Sequence, residues 1–133
     1  VKRIINRKVF YMKYYICEHC GNIIEYVKES GVPVMCCGQK MTEIVPGTSE
    51  GAHEKHVPVV IVDGDKVTVE VGEVEHPMVE AHYIQWIAIE TTRGSQKVKL
   101  EYTDKPRAEF KLADGEEFVA AYEYCNLHGL WKK

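Results

Sequence analysis

No apolar run in the 133 residues approaches the roughly 18 to 20 that a bilayer-spanning helix needs, so no membrane association is expected. An excess of positive charge is also missing. The 17 Lys and Arg stand against 20 Asp and Glu, a formal net charge of −3, which argues against nucleic-acid binding and against docking on an acidic lipid surface. Internal repeats and low-complexity tracts are lacking. The first eleven residues contain Lys2, Arg3, Arg7 and Lys8 but no apolar stretch long enough for the core of a secretory signal. Residues 1–11 therefore read as an extension before a natural beginning near Met12, and the expected compartment is a reducing cytoplasm. In that setting cysteines are expected to bind metal rather than to form disulfides.

The length suffices for one ordinary domain accompanied by a very small module that needs stapling. Four of the five cysteines fall between Cys17 and Cys37, a stretch with too few large apolar residues to bury a core of its own. Short apolar pieces surround them: Tyr14-Tyr15-Ile16, Ile23 to Val27, and Val32 to Met35, each read as a strand. The turn-forming run Pro46-Gly47-Thr48-Ser49-Glu50-Gly51-Ala52 marks the expected boundary, dividing the chain into residues 12–47 and 48–133. Beyond it the pattern is β throughout. Val57 to Val62 and Lys66 to Val71 flank Asp63-Gly64-Asp65, a hairpin signal, and further strands are expected at 83–91, 97–102, 108–112 and 117–124. That number of short strands predicts a sandwich, in which Val67, Val69 and Val71 face the core while Thr68 and Glu70 face water. Trp86 and Trp131 read as core or lid packing.

Cys17-Glu18-His19-Cys20 places two thiolates on one tight turn, and Cys36-Cys37 adds an adjacent pair. Four sulfurs converging on one ion suit zinc or a single iron equally, so ligand type alone leaves the metal open. His19, between two ligands, is read as solvated.

Five histidines follow: His53, His56, His76, His82 and His128. Singly, each would be a surface or packed residue. His56 precedes a strand, His76 is followed by Pro77, and His82 opens the strand that starts with Tyr83, so all three are expected at strand edges or in loops. Cys125-Asn126-Leu127-His128 leaves a strand, so a thiolate and an imidazole three residues apart can reach one ion from a single turn.

Taken together, the spacing of Cys17, Cys20, Cys36 and Cys37, the motif Glu54-Lys55-His56-Val57-Pro58, the pair His76-Pro77 with His82, and Cys125-Asn126-Leu127-His128-Gly129 resemble desulfoferrodoxin, the two-iron form of superoxide reductase. The resemblance runs from about Met12 to the C-terminus. It implies an all-β protein, with a small desulforedoxin-like domain holding iron in four cysteines, followed by an immunoglobulin-like β-sandwich carrying the catalytic iron. The family's four equatorial imidazoles fall on His56, His76, His82 and His128, its axial thiolate on Cys125. His53 is left outside the set. The resemblance further implies that Lys55 attracts superoxide, that Glu54 takes the sixth position of the oxidised ion, that the donor of electrons is a small redox protein such as a rubredoxin, and that the chain is a homodimer. Two other readings remain at this stage: an electron carrier without catalysis, and a protein with two structural zinc ions.

Overall fold

The computed structural model describes residues 12–49 and 51–133; the expected extension over residues 1–11 lies outside them. Among the described residues no helix is long and apolar enough to cross a membrane. The chain divides between Val45 and Pro46 into two compact units.

The N-terminal unit holds β1 (Tyr14–Ile16), β2 (Ile23–Glu25), β3 (Met35–Cys36), β4 (Gln39–Lys40) and β5 (Thr42–Ile44). Strand β1 is the centre of a three-stranded antiparallel sheet with β2 and β5, while β3 and β4 form a separate hairpin. Among the described residues its buried apolar side chains are Tyr14, Cys17 and Met41, too few for a core in the ordinary sense. The expected strand from Val32 survives only as Met35, and Val32 itself is exposed. Pro33 lacks the N–H that a paired strand there would use. Between Cys36 and Gln39 the hairpin turns on Cys37 and Gly38, with φ of 53° and 76°. Two successive positive φ angles are the mark of a type I′ turn, and that turn explains why two cysteines stand side by side.

The second unit begins with a single helical turn, α1 (His53–His56), and continues through β6 (Pro58–Asp63), β7 (Lys66–Val71), β8 (Ile84–Thr91), β9 (Gly94–Lys99), β10 (Arg107–Lys111), β11 (Phe118–Cys125) and β12 (Gly129–Lys132). They form two antiparallel sheets, one in the order β10-β7-β6 and the other β12-β11-β8-β9. Val67, Val69 and Val71 of β7 pack with Phe110 of β10 and with Ile84, Ile87, Ile89, Ala121 and Cys125 of the other sheet. This is the sandwich that the alternation in β7 predicts.

Three details depart from the sequence reading. Thr68 is buried, since β7 lies between two partners and Ile61 and Glu109 flank it in register. Strand β9 begins at Gly94, because Thr91 pairs with Gly94 across a tight turn and draws the return strand forward. Strand β12 is too short for its alternation to show in sequence, yet its pairing with β11 buries Leu130 and Trp131.

Ile89 is fully buried and Ile61 is 52% exposed on β6. Ile89→Ala is expected to cost about 2–5 kcal/mol in denaturant unfolding, and Ile61→Ala less than about 0.5 kcal/mol.

Candidate metal centres

The hairpin topology of the sandwich brings the start of β6, the end of β7, the start of β8, the end of β11 and the start of β12 to one end of the two sheets. Each of those termini leads into a donor. His56 closes α1, just before β6; His76 follows β7; His82 precedes β8; Cys125 ends β11; His128 precedes β12. Their donor atoms all lie within 4.8 Å of one another. His56, His76 and Cys125 are buried, and His82 and His128 are half-buried.

Each donor is aimed by local hydrogen bonding. In α1 the Lys55 N–H donates to the Ala52 carbonyl at 3.1 Å, and the Val57 N–H to that of His53 at 2.9 Å. The His56 ring closes the same turn, its Nδ1 lying 2.8 Å from the Ala52 carbonyl oxygen. His76 is held through its backbone N–H, which donates to the Val71 carbonyl at 2.9 Å, and through Nδ1, 2.7 Å from the Pro77 carbonyl oxygen. His82 forms a two-way backbone bridge with Val79, at 3.0 and 3.1 Å. At the Cys125 turn, Sγ and His128 Nδ1 are 3.9 Å apart.

Those bonds settle the tautomers of two rings. A carbonyl oxygen can only accept, so Nδ1 of His56 and of His76 carries the proton and each Nε2 presents a lone pair. Yet the two Nε2 atoms face each other at 3.2 Å, and His56 Nε2 lies 3.1 Å from His128 Nδ1. His82 Nε2 is buried with no hydrogen-bond partner. Lone pairs converging in a buried space repel one another unless a cation lies among them, so the donors fit a metal ion. Burial holds all three rings neutral: His76 is lowered to about 4, chiefly by desolvation, and His56 and His82 are lowered for the same first reason. Neutral imidazole is the ligating form. Desolvation also raises the Cys125 thiol, opposed by the backbone N–H groups of Leu127 and His128. A bound cation reverses that bias and deprotonates the thiol outright. One thiolate with four imidazoles exceeds the four ligands of a closed zinc site and suits a redox metal of higher coordination number.

The second group is Cys17, Cys20, Cys36 and Cys37, again within 4.8 Å. All are free thiols, with Cys17 buried and Cys20 and Cys37 exposed. The backbone N–H of Cys20, 3.5 Å from Cys17 Sγ, leads the causes that lower Cys17 to about 6. Hydrogen bonds to Cys17 and Cys20 push Cys37 up to about 12. Such a proton-sharing cluster is what four thiolates look like before a cation replaces the protons. His19, read as solvated, is exposed and stands outside the group.

Neither His53 nor Glu54 belongs to the five-donor group. Both line an open surface cavity of about 580 Å³ with Val57, Pro58, Glu73 and Lys133. Lys55 is exposed, and its positive charge bears on His56 and His82. Residues to which sequence reasoning assigned no part also shape the site. Trp131 is buried as expected, but it stacks on the His56 ring at 5.0 Å and its indole N–H donates to the His128 carbonyl at 2.9 Å. Its position three residues after His128 was the available signal. Gly72 lies under α1, where an added Cβ would stand 2.7 Å from the Glu54 carbonyl oxygen; no sequence signal marked it.

Comparison with known proteins agrees with this geometry. The desulfoferrodoxin family profile matches residues 48–133. The chain is 47% identical over 118 residues to desulfoferrodoxin of Nitratidesulfovibrio vulgaris, covering 89% of this chain and 92% of that one. It is 43% identical over 121 residues to a desulfoferrodoxin homolog of Archaeoglobus fulgidus, covering 91% and 95%. Among solved structures, the superoxide reductase of Treponema pallidum superposes with a TM-score of 0.78 at 34% identity, over 93% of this chain and 99% of that one.

Gly72→Ala is expected to push α1 away from the group. Metal analysis after chelator treatment should find the five-donor group depleted and the four-cysteine group full, with stability to denaturant lowered by about 1–3 kcal/mol.

Proposed function

The chain belongs to the desulfoferrodoxin family, and from that premise we infer that it is a superoxide reductase. Superoxide takes one electron and two protons and leaves as hydrogen peroxide. The observation that carries this reading is the buried convergence of four imidazoles and one thiol at the end of the sandwich. Two iron ions are the cofactors, one in the four-cysteine group and one in the five-donor group. When ferrous, the second supplies the electron.

The chain's own residues do the rest. His56, His76, His82 and His128 hold the ion as neutral ligands, so its positive charge is left to draw in the anionic substrate. Cys125 provides the thiolate, steadied by the N–H groups of Leu127 and His128, and a thiolate ligand pushes electron density onto the metal. Lys55 sits exposed on α1, and its charge acts on both His56 and His82. There it attracts superoxide and steadies the negative charge that grows on oxygen as the electron arrives. Glu54, its neighbour on the same exposed turn, is the carboxylate assigned to the oxidised resting state. In this structure it lines the adjoining cavity, so that role requires the turn to reorient.

The same reading places the four-cysteine iron in a domain of residues 12–47, where metal binding supplies the folding energy that Tyr14, Cys17 and Met41 cannot, and the reductase in a domain of residues 48–133. A rubredoxin-like protein is the proposed electron donor and the cytoplasm the proposed location. A homodimer is supported by exposed apolar side chains of the N-terminal unit, Val27 and Val32 in its loops and Met35 on its hairpin; sedimentation equilibrium tests it.

The deciding experiment mixes the reduced protein with superoxide. A reductase yields peroxide and oxidised iron with no dioxygen; dioxygen release would indicate dismutation, and unreactive iron would indicate an electron carrier. Lys55→Ala should retain iron but react roughly tenfold more slowly at low ionic strength, with a weaker salt dependence. Cys125→Ser should lose both the thiolate-to-iron visible band and the activity.

A further inference from the structure

His56 and His76 are oriented by their own ring protons, but the His82 ring makes no hydrogen bond among the described residues, and its Nε2 is buried without a partner. What holds His82 must therefore act on its backbone. Two contacts do so. One is the bridge to Val79. The other comes from Asn126, whose side chain spans both neighbours of His82: its Nδ2 donates to the Ala81 carbonyl at 3.0 Å, and its Oδ1 accepts from the Tyr83 N–H at 2.9 Å. The Asn126 backbone N–H adds a third bond, to the Tyr83 carbonyl at 3.2 Å.

The location explains the need. From Ala120 opposite Glu90 the ladder of β11 and β8 runs in register to Tyr124 and Trp86, then slips, so that Cys125 stands opposite Ile84. Past that irregularity the backbone of β11 no longer presents a carbonyl to the Tyr83 N–H. The carboxamide of Asn126 takes the place of a peptide group, one acceptor and one donor at the reach of a single methylene. The residues it ties together carry three of the five donors, since Asn126 lies in the turn from Cys125 to His128 and clasps the segment from Ala81 to Tyr83.

We propose that the Asn126 side chain is a positioning group for the metal centre, setting His82 in register with Cys125 and His128. This rests on the five-ligand reading given above. No other residue type has the same reach and both functions. Aspartate keeps the acceptor but turns a second acceptor toward the Ala81 carbonyl. Leucine matches the shape and leaves the Tyr83 N–H and the Ala81 carbonyl unpaired.

The test uses the full-length iron-loaded protein with Asn126→Leu and Asn126→Asp. The first readout is iron retention in the five-donor site against a chelator. Loss of a group that orients a ligand weakens metal binding roughly 10–100-fold, so the leucine variant should fall in that range and the aspartate variant between it and the parent. The second readout is the ferric visible band and the electron paramagnetic resonance line shape of that site, both expected to broaden, with the four-cysteine signals unchanged as an internal reference. Should Asn126→Leu fail to fold, Asn126→Asp decides. Parental iron retention and an unaltered ferric spectrum overturn the proposal even if thermal stability falls, because the amide would then support the fold alone. A parent protein that shows no thiolate-ligated site at all overturns the ligand assignment beneath it instead.

Discussion

Two imidazole lone pairs held face to face at 3.2 Å in a buried space are the constraint around which the larger unit is organised. Left alone, they repel, and each of the three buried or half-buried rings would also lose stability if protonated. The chain nevertheless holds them there, through ring protons given to the Ala52 and Pro77 carbonyls, a stacked Trp131, and a glycine at position 72 that lets α1 approach the end of β7. Such an arrangement is stable only with positive charge at its centre. The sandwich core supplies the rigidity to pre-organise it, and the cation relieves what the pre-organisation costs.

The two centres stand in opposite relations to their surroundings. In the N-terminal unit the four sulfurs precede the fold in importance: among the described residues three buried apolar side chains, short strands and a type I′ turn are gathered around them, and an ion held there would act as a staple. In the second unit the fold comes first. Val67, Val69, Ile87 and Ile89 build a core in which Cys125 is the one donor that takes part, so the histidines of the metal site are free to be shaped for reactivity. That difference in energetic role fits a structural or relay function for one iron and catalysis for the other. Geometry points the same way, because four sulfurs satisfy a tetrahedral ion whereas four nitrogens and one sulfur leave a higher-coordinate metal able to take substrate.

Much of this was legible in the residues. Alternation along Lys66 to Val71 announced a strand with one buried face, the cysteine pairs announced a metal, and the spacing of Cys125 and His128 announced two donors on one turn. What escaped were features with no local signature. Thr68 is polar and alternates outward, yet it is buried because β7 has a neighbour on either side. Strand β12 is four residues long, and only its ladder with β11 makes it a strand. Asn126 and Trp131 read as a turn residue and a core aromatic, and their service to the ligands follows from bonds to residues some forty positions away in one case and from a ring stacked across the chain in the other.

The sequence by itself determined which atoms can bind metal, since the donor set is a matter of residue type, and it determined the β character, since alternation is local. The resemblance carried by the motifs already named the four histidines, but only the tertiary structure shows what brings them together and keeps His53 apart. His53 and His56 are three residues apart and equally able to ligate, but one lines an open cavity beside Glu54 and the other points into the buried group. The physical reason is that coordination depends on distances of a few ångströms between residues up to 72 positions apart, as His56 and His128 are. Those distances are set by sheet pairing, which no single segment contains.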